Sequence, residues 1–393
     1  MDHPREGCVL ERSLSNLDPR GAIGFAEKLL ELLGEGRYTA TYKYAVLLAL
    51  IDLSLEGTLS SGAPPDMVTT RQLAGKIVEL YWPHTIPFAS RSPAVVLRQN
   101  TVGQAEIVST IRRFREQHSA DPSVPHWESR STAPAAYERL VKAVERKLIE
   151  MPLPRLQTMG RAQREFIYRI HWDTGIQKRE VDDYLRGRMN AFDNRVLLLP
   201  SVGEYFVQLS GLLRPLIQRH WAAMVAQVNR LEESQLEVFL FGANRTPTAR
   251  VRAGLWEFQG KRCFYCGARL ADPTRAEVDH FVPWSRYPDD GLDNFVVADK
   301  TCNGNKCNSL AAHAHLAQWT RRFAAGSVEC MALDALAVAA KWSRDHHRSL
   351  NVARAIYPRL PNDARLWLRG SEFIPPDAAA IAAALAVAPE GRE

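Results

Sequence analysis

Four of the chain's six cysteines fall in one stretch, Lys261 to Leu310, and that clustering limits the fold more than any other feature. Cys263 and Cys266 form a C-x-x-C pair, Cys302 returns as a third thiol and Cys307 follows, while Cys8 and Cys330 stand apart. Thiols gathered at such spacing read as a metal site, not as a disulfide framework, and suit a tetrahedral zinc. Different chemistry lies between them. Asp279-His280 ends a short apolar-polar run, which predicts a strand presenting both side chains. Asn294, Asn303 and Lys306 follow on the far side of a turn-rich loop. Aspartate, histidine and asparagine are hard or borderline ligands that suit a hydrated divalent ion and a general base.

The pattern V-D-H-F-x-P-W-S-x-Y, then D-N, then A-D-x-x-C-N-x-x-K resembles an HNH nuclease, the ββα-metal finger. It is similar to the variant whose catalytic core lies between two halves of a zinc knuckle. Many chemically necessary residues keep their order and spacing here, which a lone C-x-x-C or D-H would not do. The resemblance implies hydrolysis of DNA phosphodiesters by an activated water, leaving a 3′-hydroxyl and a 5′-phosphate. It implies His280 as general base, since an imidazole is poised to take a proton near neutral pH. Asn294 would hold the ring of His280. Asp279 and Asn303 would hold one magnesium or manganese ion, Asn303 standing where many members have histidine. Lys306 would neutralise a phosphate oxygen, a solvated lysine being the alternative. Cys263, Cys266 and Cys302 would ligate zinc. The fourth place, a cysteine in many knuckles, is Asp299, which is favoured over Cys307. Trp284 and Tyr287 would wedge near DNA or pack under the loop.

The fold class expected is mainly α with this embedded α+β finger. A chain of 393 residues holds two or three domains. The expected division is a mostly helical targeting or regulatory region over 1–243, the nuclease over 244–325, and a helical extension with a mobile tail over 326–393. Gly34-Glu35-Gly36 separates a first helix from a strongly apolar one over Thr39 to Leu55, which reads as buried core. Val68 onward has a Thr-Thr helix entry. It is either part of a winged-helix module using Arg71, Gln72 and Lys76 on nucleic acid, or an ordinary bundle. Arg195 to Gln208 reads as a hairpin or a short strand pair, and Leu236 to Gly242 as a strand.

Net charge is +6 with a pI near 9.0, a modest bias toward a polyanionic partner. Arg161, Arg164 and Arg169 recur among aromatics, which suits phosphate contact, although acids lie between them and a salt-bridged surface fits as well. No apolar run has membrane-spanning length, so no membrane partner is expected. The acid-bearing start, MDHPREGCVLERSL, does not read as a signal peptide, and the cytoplasm is the expected location. By analogy, protein partners would be those of a restriction, mobile-element or phage-defence system. The competing classes are a zinc-stabilised nucleic-acid-binding module without catalysis, and an RNA-directed nuclease.

Overall fold

The computed structural model describes residues 19–34, 39–89, 93–119, 121, 124–159, 162–188, 192–233, 236–242 and 248–387. Its N-terminal region is built on helices α1 (Pro19–Gly34), α2 (Tyr42–Glu56), α3 (Thr70–Tyr81), α4 (Glu106–His118), α5 (Pro134–Glu150) and α6 (Val202–Asn229). Helix α2 is apolar on all sides, and a helix of that kind must be covered on all sides. Its residues from Tyr44 to Leu55 are almost all buried, beneath α3, α6 and a helix from the C-terminal region. Its buried acid, Asp52, is ion-paired with Arg214 of α6, as a buried carboxylate requires. Three short antiparallel strands, β1 (Met67–Thr69), β2 (Tyr168–Arg169) and β3 (Arg195–Leu198), form a sheet with β3 in the centre.

Several local expectations change here. Arg195 to Gln208 is no hairpin: β3 pairs with distant strands, and Val202 already begins α6. Leu236 to Gly242 is not a strand either, because Val238–Gly242 forms a π-helical turn. A short apolar run carries no periodicity that separates the two. The winged-helix option loses its contact residues. Gln72 closes a capping box with Thr69, Arg71 pairs with Glu138 and Glu145, and the buried ammonium of Lys76 pairs with Glu56 and Glu79. Of the three arginines expected on phosphate, Arg161 lies outside the described residues. Arg164 is exposed, and Arg169 is paired with Glu165 at 3.0 Å.

Helix α7 (Ala249–Phe258) then leads into the finger. Strands β4 (Glu277–His280) and β5 (Phe295–Ala298) pair antiparallel, with His280 opposite Phe295, and helix α8 (Lys300–Lys306) follows directly. Helices α9 (His313–Thr320), α10 (Val328–Ala340) and α11 (His346–Ile356) precede a hairpin of β6 (Leu366–Arg369) and β7 (Glu372–Ile374). The C-terminal extension is helical through much of its described length, and residues 388–393 of the expected tail lie outside the described residues. Asp377 caps a last helix, α12 (Ala378–Leu385), which buries Ile381, Ala384 and Leu385. Arg354 of α11 donates to the carbonyls of Leu385 and Val387. One hydrophobic core runs from Phe25 to Leu385 through all three regions. Among the described residues, no single helix is long and apolar enough to cross a membrane.

Candidate functional site

The knuckle is set by backbone geometry. Gln259, just after α7, clamps Val297 of β5 through both its N–H and its carbonyl, and the Phe264 N–H adds a third bond to Val297. The turn closes at Gly267, whose φ of +72° lies in the left-handed region that favours glycine, with Cys263 N–H donating to Ala268 O. The ligand atoms of Cys263, Cys266, Asp299 and Cys302 then lie within 4.8 Å of one another. Asp299 caps α8 by accepting the Cys302 N–H at 2.8 Å, and its other oxygen accepts from Cys266 Sγ at 3.2 Å. Burial opposes ionisation of Asp299, but the Cys302 N–H and the surrounding thiols outweigh it and hold the carboxyl below its usual range. Burial pushes the Cys263 thiol up to about 11 and raises that of Cys302 as well. Three soft sulfurs and an ionised carboxylate on one tetrahedron-sized spot fit zinc, which would deprotonate the thiols on binding. Cys307 is exposed at the end of α8 and outside this group.

The second cluster hangs on β4. Its pleat sends Glu277 and Asp279 toward α8 and turns His280 the other way. Asp279 Oδ2 accepts from Tyr265 Oη at 2.6 Å and from Lys306 Nζ at 2.9 Å. Asn303 Nδ2 donates to Glu277 Oε2 at 2.6 Å. Among the described residues, Asp279 Oδ1 and Asn303 Oδ1 are left without a hydrogen bond. Carboxylate and amide oxygens of this kind fit a hard, partly hydrated ion such as magnesium. The His280 ring packs edge-on against Phe295 and Trp284, and its Nε2 lies 2.9 Å from Asp290 Oδ1. A carboxylate only accepts, so Nε2 is the nitrogen that donates to Asp290, and in the neutral ring Nδ1 holds the lone pair.

Two expected roles do not match this geometry. Asn294 does not hold the ring of His280; it pins the loop instead, bonding the backbone of Val282 through both amide atoms and the carbonyl of Asp289. Lys306 is not poised for a phosphate. It is fully buried, and its ammonium is held by Asp279 and by the carbonyl of His280. A charge in that position needs a carboxylate partner, and Asp279 is the one in reach. Tyr287 is buried as well, with its hydroxyl bonded to Glu56 and Arg348, so it packs rather than wedges.

Asp290, Glu277 and Tyr265 were missed from sequence. Glu277 was findable, since it shares a strand face with Asp279 at a spacing of two. Asp290 lies in a P-D-D-G turn, and nothing in spacing says which acid of a turn will reach back to a ring. Residues 263–312 match the family model for an HNH endonuclease. No curated protein matches the chain.

Proposed function

We propose that this chain, whose residues 263–312 match the family model for an HNH endonuclease, hydrolyses phosphodiester bonds of DNA. The observation that supports this most is the pairing of Asp290 with His280 Nε2, which leaves Nδ1 as the basic nitrogen at the end of β4. His280 takes a proton from the attacking water through that nitrogen, and Asp290 keeps the ring in one tautomer and one orientation. Asp279 and Asn303 would hold a divalent ion, magnesium or manganese, with Glu277 accepting from the Asn303 amide nitrogen and leaving its oxygen as the ligand atom. When bound, such an ion polarises the phosphate and stabilises charge on the leaving oxygen. Lys306 and Tyr265 hold the Asp279 carboxylate in place from the other side. Cys263, Cys266, Asp299 and Cys302 would hold zinc, which would tie the start of α8, and with it Asn303, to the knuckle. The setting we infer is restriction or phage defence, with the helical N-terminal region directing the nuclease.

The test is cleavage of supercoiled plasmid with and without magnesium, for the parent and for His280→Ala. The variant should keep its zinc and its fold and lose cleavage by on the order of a hundredfold to ten-thousandfold. Cleavage at the parent rate would remove His280 from the mechanism. A parent protein that binds DNA and never cuts it would favour the binding-module reading. That reading draws on the burial of His280, whose side chain is 11% exposed.

A further inference from the structure

A cleft of about 630 Å3 opens between α6, the chain leaving α8 and the segment that enters β6. Its described lining contains three arginines, Arg286, Arg359 and Arg365, and no carboxylate. Arg359 is already satisfied, since it bonds Glu204 at 2.8 and 3.1 Å and the carbonyls of Gly62 and Ala355. Arg286 and Arg365 are exposed and have no ion-pair partner among the described residues. Arg365 lies over the ring of Phe373 at 4.7 Å, a stack that fixes the guanidinium and leaves its edge donors open. Gln208, Asn308 and Ser309 add amide and hydroxyl donors to the same lining.

Two like charges on one concave wall repel unless an anion joins them. Guanidinium groups match the oxygens of a phosphate in a planar fork. The volume suits a nucleotide rather than a lone oxyanion, since small-molecule clefts run to roughly 300–1,000 Å3. The wall is also continuous with the finger. Arg286 sits in the loop that joins His280 to Asp290, and Ser309 N–H donates to the carbonyl of Lys306 at 2.9 Å. We propose that this cleft is a second phosphate-binding site that holds the backbone of the nucleic-acid substrate away from the scissile bond. The inference rests on the nuclease reading, and its position beside both catalytic elements favours substrate over a free nucleotide.

The test uses the full chain with His280→Ala, so that binding is read without cleavage. Fluorescence anisotropy of a labelled DNA duplex is compared with and without Arg286→Ala plus Arg365→Ala, over a salt series. The paired substitution should weaken binding by on the order of tenfold and flatten the log–log salt slope by about two. Arg286→Lys with Arg365→Lys should keep the slope. Unchanged affinity and slope in a protein of parent zinc content and circular dichroism would overturn the proposal. Equilibrium dialysis with AMP and with inorganic phosphate forms the second arm. Loss of AMP binding with duplex binding intact would assign the cleft to a free nucleotide and overturn the substrate role. Plasmid cleavage by the parent tests the nuclease reading separately, because a chain that binds through the cleft and does not cut sinks that reading alone.

Discussion

Lys306 has no exposed surface, and its position decides how Asp279 is held. Its ammonium sits between the Asp279 carboxylate and the His280 carbonyl, so Lys306→Met removes a charge and leaves its partner buried beside Tyr265 alone. Breaking such a pair costs about 3–5 kcal/mol, which should appear as a lower urea midpoint. An unchanged midpoint would mean that Asp279 does not depend on it. Asp299 makes a second residue-scale case. Asp299→Ala should lose zinc by elemental analysis while Cys307→Ser keeps it, since only Asp299 lies among the thiols. The reverse result would move the fourth ligand to Cys307. The zinc group was legible because ligand spacing is a local property of the chain. The surroundings of Lys306 were not, because a lysine on a short helix reads as solvated until its neighbour on β4 is known.

At the scale of elements, boundaries followed cap chemistry closely where the sequence carried it. Thr69 accepts the Gln72 N–H, and the Gln72 side chain accepts the Thr69 N–H at 2.8 Å, which opens α3. Thr69→Ala removes one of these bonds and loosens the other. It should cost about 1 kcal/mol by urea unfolding, with the core unchanged. No loss would mean that tertiary packing alone sets the start of α3. The apolar helix α2 and the strand that ends at Asp279-His280 were legible for the same reason, as their patterns need only their own residues. The sheet around β3 was not, since its partners lie far away in sequence and each contributes two or three residues. Helix α12 lies in the Ala-rich segment expected to lead into a tail, and the bonds from Arg354 and the burial of Ile381 anchor it.

The molecule as a whole answers to pH through its interior. His84 is buried among Tyr81, Trp221 and Phe241, and burial pulls its imidazole down from 6.5 to about 3. The unfolded chain therefore binds a proton that the folded chain refuses between those two values. The stability this group contributes is fully present above about 6.5 and is lost as pH falls toward 3. Unfolding free energy should decline by about 1.4 kcal/mol per pH unit from this site across that window. His84→Phe, which keeps a ring and cannot titrate, should flatten the profile by that amount. An identical profile would show that His84 is solvated or charged in the folded chain.

The charged contacts around Tyr287 join three parts of the chain that are far apart in sequence. Glu56 and Glu79 come from the N-terminal helices, Tyr287 from the finger loop and Arg348 from α11, and Ser349 beside it binds Asp289 of the same loop. On the ribosome these parts emerge in that order. The loop that carries Asp290 has its scaffold waiting when it appears, but its last clamp is still about forty residues behind Lys306. At roughly 5–20 residues per second, that interval lasts a few seconds. During that time a nascent chain holds both side-chain clusters of the finger with the loop between them still unfastened, so the second cluster takes its final form only once α11 has emerged.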